Sequence, residues 1–167
     1  MTHDAQSGAD PHRHKSAPVI AGIDIGGTKI SAVLTDESGS VLARGVVPAP
    51  AAEGGPAMAD AAAGLVLRLC GVIGAPLAGA GVGAAGVIDQ ERGVVVAASA
   101  TFTDWSGFPL AEELEGRLGA PVWVENDVNA FLLGELRWGA ARGESDVLGI
   151  MPATGVGGPI APGAAVH

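Results

Sequence analysis

The stretch Val19-Ile20-Ala21-Gly22-Ile23-Asp24-Ile25-Gly26-Gly27-Thr28-Lys29-Ile30-Ser31-Ala32-Val33-Leu34-Thr35 decides the architecture. Val19 to Ile25 reads as a short apolar strand, Gly26-Gly27-Thr28 as a turn, and Lys29 to Thr35 as a second strand. Asp36-Glu37-Ser38-Gly39 is another turn signal and Val41 to Val47 a third strand, so the three form an antiparallel meander.

Beyond it the pattern changes. An Ala-, Gly- and Pro-rich loop, Pro48 to Pro56, leads into a helix from Ala57 to about Val72, with Pro56 suited to its first turn. A strand at Gly79 to Ala84 follows, then a hairpin of Val87-Ile88-Asp89 and Val94 to Ala97 around Gln90-Glu91-Arg92-Gly93. Pro109 to Leu118 reads as a helix, Pro121 to Val124 as a strand, Asp127 to Trp138 as a helix and Asp146 to Met151 as a last strand. A meander followed by alternating helices and strands predicts an α/β fold with a mixed sheet and helices on its faces. That topology suggests the ribonuclease H-like half of the actin and sugar-kinase architecture.

Composition narrows the chemistry. The 167 residues are 48% hydrophobic and 16% charged, which excludes a fully disordered chain. Nine Lys plus Arg against eighteen Asp plus Glu give a net charge of −9, which argues against nucleic acid or an anionic membrane as partner. An anionic ligand must be held locally, and Lys29 is the one lysine outside the N-terminal segment. His3, His12, His14 and His167 lie at the two ends, so a Ser-His-Asp triad in the body is excluded. Cys70 stands alone, which excludes disulfides and Cys-rich zinc sites within the chain, and it reads as a small buried hydrophobe. Residues 1–18 are polar and aperiodic, as expected of a disordered tail, and carry no signal-peptide pattern. Leu69 to Ile88 is uncharged, but its six glycines and Pro76 divide it into a helix end, a turn and a strand. The expectation is a cytoplasmic chain with no membrane contact.

Three segments can carry chemistry. In Asp24 to Lys29, two glycines allow backbone amides to approach an anion, Asp24 can hold a cation or its water, Thr28 offers a hydroxyl and Lys29 a charge. The competing reading is a plain hairpin turn. In Val124-Glu125-Asn126-Asp127-Val128-Asn129-Ala130, a strand runs directly into a helix, and a carboxylate there can accept the proton of a substrate hydroxyl. The competing reading is that Asn126 or Asp127 caps the helix. Thr154-Gly155-Val156-Gly157-Gly158 is a second glycine-rich turn after an apolar strand, and it is not a P-loop because no Gly-Lys-Ser/Thr follows.

These segments, with Gly81-Val82-Gly83-Ala84-Ala85-Gly86-Val87-Ile88-Asp89 and Gly134-Glu135 between them, closely resemble the ROK family of bacterial glucokinase-like sugar kinases and sugar-responsive repressors. The resemblance runs from about Val19 to Gly158 and implies the actin-like ATPase fold and phosphoryl transfer from ATP, with Mg²⁺, to a hydroxyl of a hexose or amino-hexose. It implies Asp127 as catalytic base, Asn126 as sugar contact, Asp24, Gly26, Gly27, Thr28 and Lys29 as first phosphate loop, and Thr154, Gly155, Gly157 and Gly158 as second. Asp24 is the one candidate near the metal, and a homo-oligomer is left open. Thr101 stands where many members carry Asn in a Pro-Asn-Leu sequence, which leaves the sugar's identity open. Ala153 and Pro159 replace usual glycines, and Pro159 and Pro162 are expected to spoil the strand that follows. The family's second half, including its zinc motif, has no counterpart. The expectation is therefore a domain at 19–158, an irregular end at 159–167, and a truncated kinase half inactive alone. A repressor lacking its DNA-binding domain and a non-catalytic sugar- or nucleotide-binding remnant are the alternatives.

Overall fold

The computed structural model describes residues 17–152, 156–158 and 160–161. The tail expected over 1–18 lies almost wholly outside the described residues.

The meander forms as the sequence predicts. β1 (Val19–Ile25), β2 (Lys29–Thr35) and β3 (Val41–Pro48) pair antiparallel in chain order. The β2–β3 turn is held by Asp36, whose Oδ1 accepts from the amides of Ser38 (2.9 Å) and Ser40 (3.0 Å). β4 (Leu77–Ala84) joins β1 in parallel, and β7 (Val122–Asn126) joins β4 in parallel, giving the mixed order β3-β2-β1-β4-β7.

Alternation along the strands separates the two faces of this sheet. Val19, Ala21, Ile23 and Ile25 of β1, Ile30 and Leu34 of β2, and Val122 and Val124 of β7 are buried. They pack under α1 (Gly55–Ile73) and α2 (Leu110–Leu118). α1 begins two residues before the expected Ala57, with Pro56 in its first turn, and ends at Gly74 in the left-handed conformation (φ 72°), a glycine cap. Among the described residues it is one helix long and apolar enough to cross a membrane, yet Met58, Ala59, Ala62 and Val66 are buried in the core beneath it. Arg117 of α2 reaches Asp60 of α1 through Nε at 2.6 Å, joining the two helices at their rim.

Among the described residues the opposite face is covered only in part, by α3 (Asp127–Trp138) lying over β4 and β7. A groove of about 820 Å³ runs along the uncovered part from Asp24 and Gly83 to Trp123 and Trp138. The hairpin read from the sequence forms as β5 (Val87–Asp89) and β6 (Val94–Ala97), a two-stranded ladder separate from the five-stranded sheet.

The last strand departs from expectation. Asp146 to Met151 does not form one strand; β8 (Val147–Leu148) and β9 (Met151–Pro152) are separate two-residue pieces. They pair with β11 (Ile160–Ala161) and β10 (Val156–Gly157), in two small ladders that do not join the five-stranded sheet. The strand expected to be spoiled near Pro159 and Pro162 thus exists as two residues, Ile160–Ala161, and the prolines themselves lie outside the described residues.

The two faces predict unequal sensitivity. Leu34→Ala empties a fully buried site and is expected to cost about 2–5 kcal/mol in chemical denaturation. Ile20→Ala, on the face where the side chain is 44% exposed, is expected to cost less than about 1 kcal/mol. Equal losses would contradict this assignment of the core.

Candidate active site

Because β1, β4 and β7 are parallel, their carboxyl ends emerge on one edge of the sheet, where α/β sheets place ligands. The register aligns Asp24 with Gly83 and Gly83 with Glu125; the next rank is Ile25, Ala84 and Asn126. The Gly26 turn, the Ala85-Gly86 turn and Asp127 therefore leave the sheet side by side.

Glycine at position 83 allows the two acidic segments to meet. A Cβ there would lie 3.3 Å from Cβ of Ala130 and 3.4 Å from Cα of Asp127, tighter than ordinary packing. The first turn of α3 rests on that bare patch of β4.

Asp24 and Asp127 consequently feel one another. The Asp24 carboxyl is raised above its ordinary value, chiefly by desolvation and then by the Asp127 carboxylate, while Lys29 pulls it down. The structure thus brings together Asp24, Lys29 and Asp127, which are far apart in the sequence.

Asn126 is the N-cap of α3. Its Oδ1 accepts from the amides of Val128 (3.0 Å) and Asn129 (3.2 Å), and its Nδ2 donates to the carbonyl of Gly86 (2.8 Å) and to Oδ1 of Asp127 (3.0 Å). Two acceptances and two donations occupy the whole hydrogen-bonding capacity of the amide. The capping reading of Asn126 therefore describes its geometry. Oδ1 of Asp127 also accepts from the Val128 amide at 2.9 Å. Both bonds fall on Oδ1, and among the described residues none falls on Oδ2. Glu125 folds back over the helix start, with Oε1 accepting from the Asn126 amide (2.6 Å) and from Nδ2 of Asn129 (3.1 Å).

In the first glycine-rich turn the Gly26 amide donates to the Lys29 carbonyl at 3.1 Å, so a hairpin bond is present. Neither Gly26 nor Gly27 adopts a left-handed φ, so turn geometry is not what requires glycine there. Thr28 and Lys29 are exposed beside them. Thr101 is brought to this turn, its methyl 3.4 Å from where a Cβ of Gly27 would lie, with the Phe102 ring at 3.3 Å. Of the second glycine-rich turn, Thr154 and Gly155 lie outside the described residues, Gly157 belongs to β10, and Gly158 is exposed. Cys70 is half-buried against the core, and burial pushes its thiol up, away from the reactive thiolate.

Gly83, Gly86 and Glu125 carry geometry to which sequence reading attached no role. One signal was available: Gly79, Gly81 and Gly83 alternate along β4 and share a face, a pattern that marks close approach of another element.

The sequence model of the ROK family matches residues 20–167. The chain belongs to the ROK family. It is 41% identical over 139 residues to the glucokinase of Streptomyces coelicolor, covering 83% of this chain and 42% of that protein. The fold superposes on a ROK glucokinase from Streptomyces griseus, solved in complex with glucose and AMPPNP, with a TM-score of 0.79 and 39% identity, covering 89% of this chain and 46% of that one. The DNA-binding transcriptional repressor Mlc of Escherichia coli is 36% identical over 83 residues, 49% of this chain and 20% of that protein. The fold is thus the actin-like ATPase fold of ROK sugar kinases, and the chain spans less than half the length of the glucokinases it matches.

Asp24 yields a pH-dependent prediction. Its folded-state value lies above that of the unfolded chain, so the ionised carboxylate destabilises the fold at neutral pH, and the penalty vanishes as pH falls below the unfolded value. Asp24→Asn is expected to raise the thermal midpoint at pH 7 by about 1–3 °C, a small gain because the group is partly solvated. The difference should shrink as pH approaches 4. A midpoint at pH 7 equal to or below that of the parent chain would contradict the assignment.

Proposed function

We propose that the full-length protein transfers the γ-phosphoryl group of ATP to a hydroxyl of a hexose or amino-hexose. The observation that carries the reading is that Asp24 near the carboxyl end of β1, Asp127 just past the carboxyl end of β7 and Lys29 at the start of antiparallel β2 share one edge of the sheet, with both hydrogen bonds to the Asp127 carboxylate falling on Oδ1. Likeness to a glucokinase solved with glucose and AMPPNP supports the nucleotide and sugar classes.

In this reading Asp127 accepts the proton of the attacking hydroxyl and orients its lone pair in line with the phosphorus. Gly26, Gly27, Thr28 and Lys29 form the first phosphate loop, and Thr154, Gly155, Gly157 and Gly158 the second. Two carboxylates at the strand ends, Asp24 and Asp127, suit Mg²⁺, which is held by one or two carboxylates and by the phosphates that arrive with it. Asp24 is the residue that would hold the ion or its water shell; when bound, the ion neutralises charge on the phosphates. Thr101, beside Gly27, is the remaining side chain proposed to face the sugar. The occupied amide of Asn126 favours a role in holding Asp127 over direct contact with substrate. In this reading the protein works in the cytoplasm without nucleic acid as partner.

A second reading, a sugar-responsive regulator, draws on the likeness to Mlc. An ADP-release assay with glucose, mannose and N-acetylated hexosamines separates the two. The kinase reading expects sugar-dependent turnover by the full-length protein, falling about 10²–10⁴-fold in Asp127→Asn. Sugar binding without any turnover would favour the regulator, and activity unchanged in Asp127→Asn would contradict the proposed base.

A further inference from the structure

The loop between β6 and α2 carries three aromatic rings that meet in a stack. Phe102 and Trp105 lie 5.7 Å apart at 17°, and Trp105 and Phe108 lie 5.5 Å apart at 19°. Trp105, in the middle, is 1% exposed. The residue before it, Asp104, takes a left-handed φ of 46°, a conformation uncommon outside glycine, as the chain turns the indole inward.

A buried indole N–H needs an acceptor, and Nε1 of Trp105 finds the carbonyl of Ala85 at 3.0 Å. The amide of Ala85 donates to the carbonyl of Ile25, the last residue of β1, at 3.1 Å. Ala85 is thus held from one side by the root of the Gly26 turn and from the other by Trp105. Its carbonyl belongs to the same planar peptide group as the nitrogen of Gly86, so the indole bond sets the orientation of that plane. Gly86 follows at φ 121°, a region open to glycine and little else, and a Cβ there would fall 2.6 Å from the carbonyl oxygen of Ala97. The carbonyl of Gly86 in turn receives Nδ2 of Asn126, whose other N–H anchors Oδ1 of Asp127. The softest link in this series is the glycine, and it is the link whose preceding peptide Trp105 holds.

We infer that Trp105 is a positioning residue for Asp127: its indole N–H fixes the Ala85-Gly86 peptide, Gly86 fixes Asn126, and Asn126 holds Oδ1 so that Oδ2 is left for the substrate hydroxyl. The inference rests on the kinase reading above. It assigns the β6–α2 loop two tasks at once, because the Phe102 ring next in the stack packs over Gly27 in the first phosphate loop. Asp127 and the Gly26-Gly27 turn are thereby both tied to one aromatic stack.

Trp105→Phe in the full-length protein keeps a ring between Phe102 and Phe108 and deletes the donor together with part of the bicycle. The expected result is a fall in kcat of about ten- to a hundredfold, the scale of a small misplacement of reacting groups, with KM for ATP unchanged. The side-chain amide resonances of Asn126 should shift in the same variant. A merely structural role would lower the thermal midpoint while leaving kcat per folded molecule and the Asn126 resonances unmoved, and that result overturns the inference. If Trp105→Phe folds poorly, β-(3-benzothienyl)alanine at position 105 preserves the bicycle and again lacks the N–H, and the same outcomes apply. Asp127→Asn run in parallel separates the two levels. Full turnover in that variant removes the base and this inference with it, whereas lost turnover there with unchanged kcat in Trp105→Phe overturns the positioning role alone.

Discussion

Close contact between the first turn of α3 and the bare backbone of β4 at Gly83 is the constraint on which the site depends. Parallel pairing of β1, β4 and β7 brings three chain segments to one edge, but pairing alone leaves the helix at an ordinary packing distance from the sheet. With no side chain at position 83, the helix start settles onto the strand, and Asp127 comes within electrostatic reach of Asp24 across a single intervening strand. A Cβ at position 83 would press on Cβ of Ala130 at 3.3 Å and on Cα of Asp127 at 3.4 Å, so the start of α3 would have to give by a few tenths of an ångström.

The electrostatics follow from that geometry. Two carboxylates share one edge of a chain with net charge −9, an arrangement that repels a bare polyphosphate. Binding of an anionic nucleotide at this edge therefore calls for local compensation. In the proposed reading Lys29, the Gly26-Gly27-Thr28 turn and a divalent cation arriving with the phosphates would supply it. The Asp24 carboxyl is raised chiefly by desolvation, and the Asp127 carboxylate adds to that shift before any cation arrives. Asp127 meets it differently: hydrogen bonds from Asn126 and Val128 both fall on one oxygen, so the carboxylate is anchored without being consumed.

Much of the architecture could be read directly from residues. β1 and β2 have the predicted bounds because apolar runs and a glycine turn delimit them, and α3 begins at Asp127 because Asn126 is a strong cap. Other edges drifted by one or two residues, as at Gly55 and Leu77, where the first helical turn and the start of a parallel strand have no strong chemical mark. The segment from Asp146 onward failed as one strand because an apolar run does not specify its partner, and here the partners are two short ladders. Asp24, Lys29 and Asp127 were each legible as candidates, but their convergence depends on register between strands about sixty and forty residues apart, which local pattern does not encode. The roles of Gly86 and Trp105 were hidden for the same reason: each acts through one backbone carbonyl, and no side-chain pattern announces it.

A crystal structure of the full-length protein with its sugar and a non-hydrolysable ATP analogue tests the central claim most directly. The account predicts the acceptor hydroxyl within about 2.6–3.2 Å of Oδ2 of Asp127, with Oδ1 still bonded to Asn126 and the analogue's phosphates at the Gly26 turn. A sugar bound elsewhere, or a hydroxyl approached by another residue while Asp127 points away, would contradict it.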